Sequence, residues 1–151
     1  PIIIAPDDTI TISAVTTAAQ ADGYFLGCEY TDSAGKPNVA NNWVSGTVST
    51  DAIAYVMVDT AAVYEAQCTA ALTGVTDIGS HMAGAASPAS GSALTGLSSM
   101  KLDTATLSAT VENQYMIVGL APYQDNAWTD AFPIVRIKLA SSRFLGIPQA
   151  S

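Results

Sequence analysis

Residues 23–43 read GYFLGCEYTDSAGKPNVANNW. Tyr24, Leu26, Cys28 and Tyr30 alternate with Phe25, Gly27 and Glu29, the period of two that marks a β-strand. TDSAGKPN then supplies Asp, Ser, Gly and Pro, each a turn former for its own reason: side-chain capping, freedom of φ, or a preset φ. Beyond it lies NNWVSGTV, with Trp43 as its large apolar residue. The segment therefore predicts a hairpin, or a looped connection between two strands.

The same grammar extends in both directions. PIII, with prolines at positions 1 and 6, is incompatible with a helix and reads either as a first strand or as an extended arm over residues 1–7. In DTITISAV, residues 8–15, Thr9, Thr11 and Ser13 alternate with Ile10, Ile12 and Ala14, a strand with one wet face. Residues 14–22 fit a short helix or a loop. IAYVMVD, residues 53–59, is an almost unbroken apolar run rich in β-branched and aromatic residues, which predicts a central strand buried on both faces. VYEAQC, residues 63–68, alternates again, although TAAVYEAQCTAAL also suits an alanine-rich helix. Glycines at 74, 79, 84, 91 and 96 among Ala, Ser and Thr make 72–99 a long surface loop, with room for one short strand.

Three further strands follow: KLDTATLSATVE (101–112), YMIVGL (115–120) and FPIVRIKL (132–139). In the last, Val135, Ile137 and Leu139 face one way and Arg136 and Lys138 the other. Residues 140–151 form a C-terminal tail. Seven or eight short strands separated by turn signals, without a long helical pattern, predict a single all-β domain over 1–151, an antiparallel β-barrel or sandwich.

Composition narrows the function. The chain has 151 residues, enough for one domain with a real core, and is 49% hydrophobic but only 12% charged. Such a surface, rich in small polar side chains, suits packing against something else. Thirteen acids against five bases give a net charge of −8, which argues against nucleic acid as a partner. Of the five bases, Arg136, Lys138 and Arg143 crowd the C-terminal end. No apolar run approaches the length of a membrane span, and PIIIAPDD lacks the basic start and long apolar core of a signal peptide. Cys28 and Cys68 make no disulfide framework and no zinc spacing; they read as one bridge or as two small buried thiols.

The motifs of enzyme chemistry are missing. There is one histidine, His81, in GSHMAG, and no G-x-S-x-G elbow. A triad through His81, a serine and Asp77 would lie on a loop with no rigid frame. No two glycines flank a single residue, and Gly35-Lys36 runs into Pro37, so neither phosphate cradle is present. A lone histidine excludes the usual zinc sets. Glu29, Asp32, Asp51, Asp59 and Glu65 leave open a calcium site or a glycosidase-like pair, although thirteen acids on a small domain often meet by chance. The expectation is no catalytic residue, no metal and no cofactor. Most aromatic residues fall in predicted strands, where core packing explains them. Trp128, in YQDNAWTDAF, lies in a polar loop and is the candidate exposed contact.

Gly23 to Tyr30 followed by TDSAGKP, then DAIAYVMVDTAAVYEAQ (51–67), resembles a group of small structural proteins of tailed-phage heads, the capsid decoration or cement proteins. DIG (77–79), GLSSMKLD (96–103), IVGL (117–120), DNAW (125–128) and IVRIKL (134–139) continue the likeness. It covers roughly residues 23–68 and 96–139. The ending ASSRFLGIPQAS departs from the Asn-x-His ending common in similar proteins, and residues 1–22 lie outside the match.

The resemblance implies a β-barrel body that binds the outside of an assembled capsid and stabilises it. It implies a virion component made in the host cytoplasm, with the major capsid protein and further copies of itself as partners. A homotrimer at three-fold positions is favoured and a dimer is kept open. Two segments suit docking: Ile2, Ile3 and Ile4 at one end, and Arg143, Phe144 and Leu145 at the other, with Arg136 and Lys138 on the adjoining strand. The alternative is a head fibre or host-glycan-binding module that uses the 72–99 loop and Trp128.

Overall fold

A computed structural model describes residues 2–4, 10–12, 21–44, 46–85, 92, 94–95, 98–110 and 113–141, the first two of these as backbone. Its strands are β1 (Ile2–Ile4), β2 (Ile10–Ile12), β3 (Tyr24–Thr31), β4 (Pro37–Ala40), β5 (Ile53–Met57), β6 (Tyr64–Gln67), β7 (His81–Gly84), β8 (Leu102–Ser108), β9 (Tyr115–Leu120) and β10 (Ile134–Leu139). The one helical element among the described residues is a 3-10 turn at Val75–Asp77. β1 pairs with β2, β4-β3-β5 form a three-stranded sheet, and β6-β10-β9-β7-β8 form a five-stranded sheet. All these pairings are antiparallel. The protein is all-β, as expected. Neither larger sheet closes into a barrel, and two antiparallel sheets are the arrangement of a sandwich.

The opening segment is the hairpin its turn formers predict. Asp32 builds the turn: its Oδ1 accepts the N–H groups of Ala34 and Lys36 at 2.9 and 3.0 Å, and its own N–H donates to the Lys36 carbonyl. Gly35 takes φ 79°, which a residue without Cβ adopts freely. The second strand starts at Pro37, within the predicted turn, on the edge of its sheet. There a missing N–H costs no ladder bond.

Two sequence expectations fail in this sheet. The alternation placed Leu26 beside Tyr24 and Cys28, but the β3–β5 register shifts between Phe25 and Gly27, and Leu26 is 57% exposed. A bulge inserts one residue and reverses the faces beyond it. The run 53–59 is also not a central strand. β5 lies at the edge, with Ile53 and Tyr55 exposed. An all-apolar strand carries no amphipathic signal, so its sequence cannot say which face is covered.

The core belongs to the five-stranded sheet. Val135, Ile137 and Leu139 of β10 share one face, as the sequence predicts, and that face is buried together with Tyr115 and Ile117 of β9. Met82, Leu102, Cys68, Leu72 and Ala21 complete the cluster. The two edges of this open sheet meet at one point, an isolated bridge between Cys68, just after β6, and Leu102 at the start of β8. The Thr69 N–H donates to the Leu102 carbonyl at 2.9 Å, and the Thr104 N–H donates to Thr69 Oγ1 at 3.1 Å. Residues 64–67 are thus a strand, not the alternative helix. Tyr24 stacks on Tyr64 with ring centroids 3.7 Å apart, joining the two sheets.

The stretch 72–99 holds the one short strand for which the sequence left room, and that strand is part of the five-stranded sheet rather than of its surface. Its short strand, β7, lies between β9 and β8, with Met82 and Ala83 buried. Gly79 and Gly84 gave HMAG the look of a loop, but small residues are what a crowded strand position accepts. Residues 14–20, most of the stretch expected to be a short helix or loop, fall outside the described residues, as does most of the 140–151 tail.

Close approach dictates one further residue. A Cβ on Gly23 would stand 2.4 Å from the Met57 carbonyl oxygen, a backbone atom of the neighbouring strand. Gly23→Ala is expected to lower stability by about 1–3 kcal/mol, the usual cost of overpacking, as read from urea unfolding. A loss below about 0.5 kcal/mol would show that β3 and β5 can separate freely.

Candidate functional site

The groups that the sequence offered for chemistry are dispersed or already engaged. His81 lies on β7 rather than on a loop, opposite Met116 and Ser108, and its Nδ1 is buried with no hydrogen-bond partner among the described residues. Asp77 does not serve it. The Asp77 Oδ2 accepts the N–H groups of Thr73 and Gly74 at 2.7 and 3.3 Å, holding the 3-10 turn. Cys28 and Cys68 are both free and buried, and burial pushes the Cys68 thiol up to about 12, so neither is an activated nucleophile. Of the two cysteine alternatives, the pair of small buried thiols is observed.

Each of the five carboxylates singled out has a local role. Asp32 holds the hairpin turn, and Asp59 accepts the Ala61 N–H at 2.8 Å. Asp51 clamps the end of β3, taking the Thr31 N–H at 2.8 Å and its hydroxyl at 2.5 Å, with Ser49 Oγ donating at 2.6 Å. These donors, the Ser49 hydroxyl first, stabilise the anion and hold the Asp51 carboxyl at about 2. Glu29 stands beside the Tyr55 hydroxyl and raises its pKa. Glu65 accepts from the Tyr123 hydroxyl and pairs with Arg136 Nε at 3.3 Å. Among the described residues no three His, Cys, Asp or Glu side chains are placed to hold a metal ion.

Trp128 is not the freely exposed contact expected of it. It is half-buried against the core, and its carbonyl accepts the Leu72 N–H at 2.9 Å. A polar loop sequence hides this, because the ring is drawn inward by contacts made with other segments. Ile2, Ile3 and Ile4 form β1, with side chains outside the described residues. Arg143, Phe144 and Leu145 also lie outside them. Arg136 and Lys138 share the outer face of β10, opposite to Val135, Ile137 and Leu139.

What the structure assembles is a pair of surfaces. The first is one face of the three-stranded sheet. Val39 stands opposite Glu29, which stands opposite Ile53, so the three side chains form one row across β4, β3 and β5. Two residues on, Gly27 faces Tyr55 and leaves its ring unshielded. Val39 is 84% exposed, Ile53 53% and Tyr55 47%. Thr31, two residues beyond Glu29 on the same face, holds the Asp51 carboxylate. The surface is therefore apolar with acids and no cation in its row.

The second surface is the outer face of the five-stranded sheet. Glu65 opposes Arg136, and Lys138 opposes Met116, which in turn opposes His81. Val63, Glu65, Val118 and Arg136 line a shallow, open hollow of about 440 Å³ there. Sequence reading found the cations of this face but not the first face, since Ile53 and Tyr55 resemble buried residues until the pairing is known.

No family model, no curated protein and no solved structure matches this chain. No helix among the described residues is long and apolar enough to cross a membrane.

Proposed function

We propose that this chain is a structural protein of a tailed-phage head, binding the outside of the assembled capsid and stabilising it as a decoration protein. The observation that carries the reading is the exposed row Val39–Glu29–Ile53 with Tyr55 beside it. Apolar side chains presented together on one sheet face are the mark of an interaction surface. The resemblance of segments 23–68 and 96–139 to head proteins supplies the partner, the major capsid protein.

A protein of this kind acts without chemistry. Whatever binds the assembled shell but not its separated parts stabilises the shell by mass action. Repetition over many copies lets modest contacts add through multivalency. The terminal segments are the proposed shell contacts: Ile2, Ile3 and Ile4, whose burial contributes about 1.5–3 kcal/mol each, and Arg143, Phe144 and Leu145.

The test is made on particles. Heads stripped of the protein are expected to lose resistance to heat and to low ionic strength, and to regain it when the protein is added back. Deleting residues 1–6 or 143–151 is expected to weaken attachment to particles more than it lowers the melting temperature of the free protein. Normal occupancy after both deletions contradicts the assignment of the contacts. Unchanged particle stability with impaired adsorption to cells favours the head fibre or glycan-binding alternative instead.

A further inference from the structure

We infer that copies of this chain bind one another head to tail, the acidic-apolar face of the three-stranded sheet in one copy resting on the cationic outer face of the five-stranded sheet in the next. The inference deepens the proposed function: it assigns the exposed row Val39–Glu29–Ile53 to a neighbouring copy within the assembly and leaves the shell to the terminal segments. It reassigns Arg136 and Lys138 from the shell to a neighbouring copy.

The occupant follows from charge. In a chain of net charge −8, two of the five bases, Arg136 and Lys138, stand two residues apart on one face of β10. Among the described residues only the Nε of Arg136 is engaged, by Glu65 at 3.3 Å, and its side chain remains 45% exposed. No described residue bonds its terminal nitrogens or the Lys138 ammonium. Half-exposed Val63 and the hollow beside Arg136 give this face an apolar component as well.

The opposite chemistry stands on the other sheet. Glu29 sits between the exposed Val39 and Ile53, and Asp51 sits on the same side at the end of β3. The acid row of one copy thus matches the cations of another, while apolar side chains on both faces meet. Pairing the acidic face with itself would bring Glu29 against Glu29, so a two-fold contact through this sheet is disfavoured. A contact between two different faces is heterologous. It closes into a ring where the rotation permits and otherwise grows into a filament.

Charge reversal tests this on the full chain by light scattering after size exclusion and by sedimentation, at low and high salt. The wild type is expected to self-associate at low salt and to dissociate as salt screens the pairs. The Glu29→Lys/Asp51→Lys variant has two cationic faces and the Arg136→Glu/Lys138→Glu variant two anionic ones. Each alone is expected to associate roughly 10- to 100-fold more weakly than the wild type. Mixed, they are expected to co-assemble. Far-UV circular dichroism and melting temperature establish that each is folded. Should a variant not fold, the single changes Glu29→Gln and Lys138→Gln replace the doubles, each expected to weaken association. The inference is overturned by a monomeric wild type at low salt, by variants that assemble alone as the wild type does, or by a mixture that stays monomeric. An effect confined to the Glu29 variant would show a symmetric contact and would also overturn it.

Discussion

Leu102→Ala is expected to lower the stability of the fold by about 2–5 kcal/mol, out of a typical total of about 5–15 kcal/mol for a domain. Leu102 has no exposed surface and stands where the five-stranded sheet meets its own other edge. Its side chain fills the core cluster with Met82, Tyr115 and Ile117, while its carbonyl receives the Thr69 N–H. Alanine keeps the backbone bond and removes the packing, so the loss reports the core alone. Urea unfolding should show a lower midpoint with an unchanged slope. Val39→Ala, at a position 84% exposed, is the control and is expected to change stability by no more than about 0.5 kcal/mol. If the Leu102 variant lost less than about 1 kcal/mol, this edge-to-edge bridge would not be a packed part of the core.

Alkaline pH is expected to unfold the protein through a small set of buried acids. The hydroxyls of Tyr24, Tyr64 and Tyr115 are buried with no partner among the described residues. Burial raises all three above the ordinary tyrosine value of 10.0, and Tyr24 is raised further by Tyr115 and Tyr64. Burial likewise raises Cys68 from 9.0 to about 12. The unfolded chain releases these protons from pH 9.0 for the thiol and 10.0 for the phenols, while the folded chain keeps them. The folded state then binds more protons than the unfolded one, so stability falls as pH rises. Below those values the stability is fully present.

Tyr24 and Tyr115 should each contribute a slope of about 1.4 kcal/mol per pH unit above pH 10.0. Thermal unfolding across that range measures the slope. Tyr115→Phe removes an unpartnered hydroxyl and should be neutral or stabilising at pH 7, with a shallower alkaline limb. A variant that is destabilised at pH 7 and as steep as the wild type would show that the hydroxyl is hydrogen-bonded in the folded state.

How much of this was legible in advance depended on contrast within each segment. FPIVRIKL alternates apolar with charged residues, so its inward face was readable, and Val135, Ile137 and Leu139 are indeed buried. TDSAGKPN carries its turn chemistry in its own side chains, and Asp32 uses it. IAYVMVD has no contrast, and only its pairing with β3 alone places it at the sheet edge. HMAG is too short and too small to stand out from its glycine-rich surroundings, yet β7 lies inside the five-stranded sheet.

The candidate surfaces follow the same division. Arg136 and Lys138 were visible as a cationic face because strand alternation is a local property. The acidic-apolar face was not, because Val39, Glu29 and Ile53 come from three strands and share a row only through their register. Sequence alone determined that the chain is all-β, where the first hairpin turns and which side of β10 faces inward. Local periodicity and turn chemistry suffice for those. Tertiary structure decided that β5 is an edge, that Leu26 is thrown outward by a bulge and that Cys68 meets Leu102 across the sheet. Those depend on which distant strands pair, and cross-strand pairing leaves no mark within any one segment.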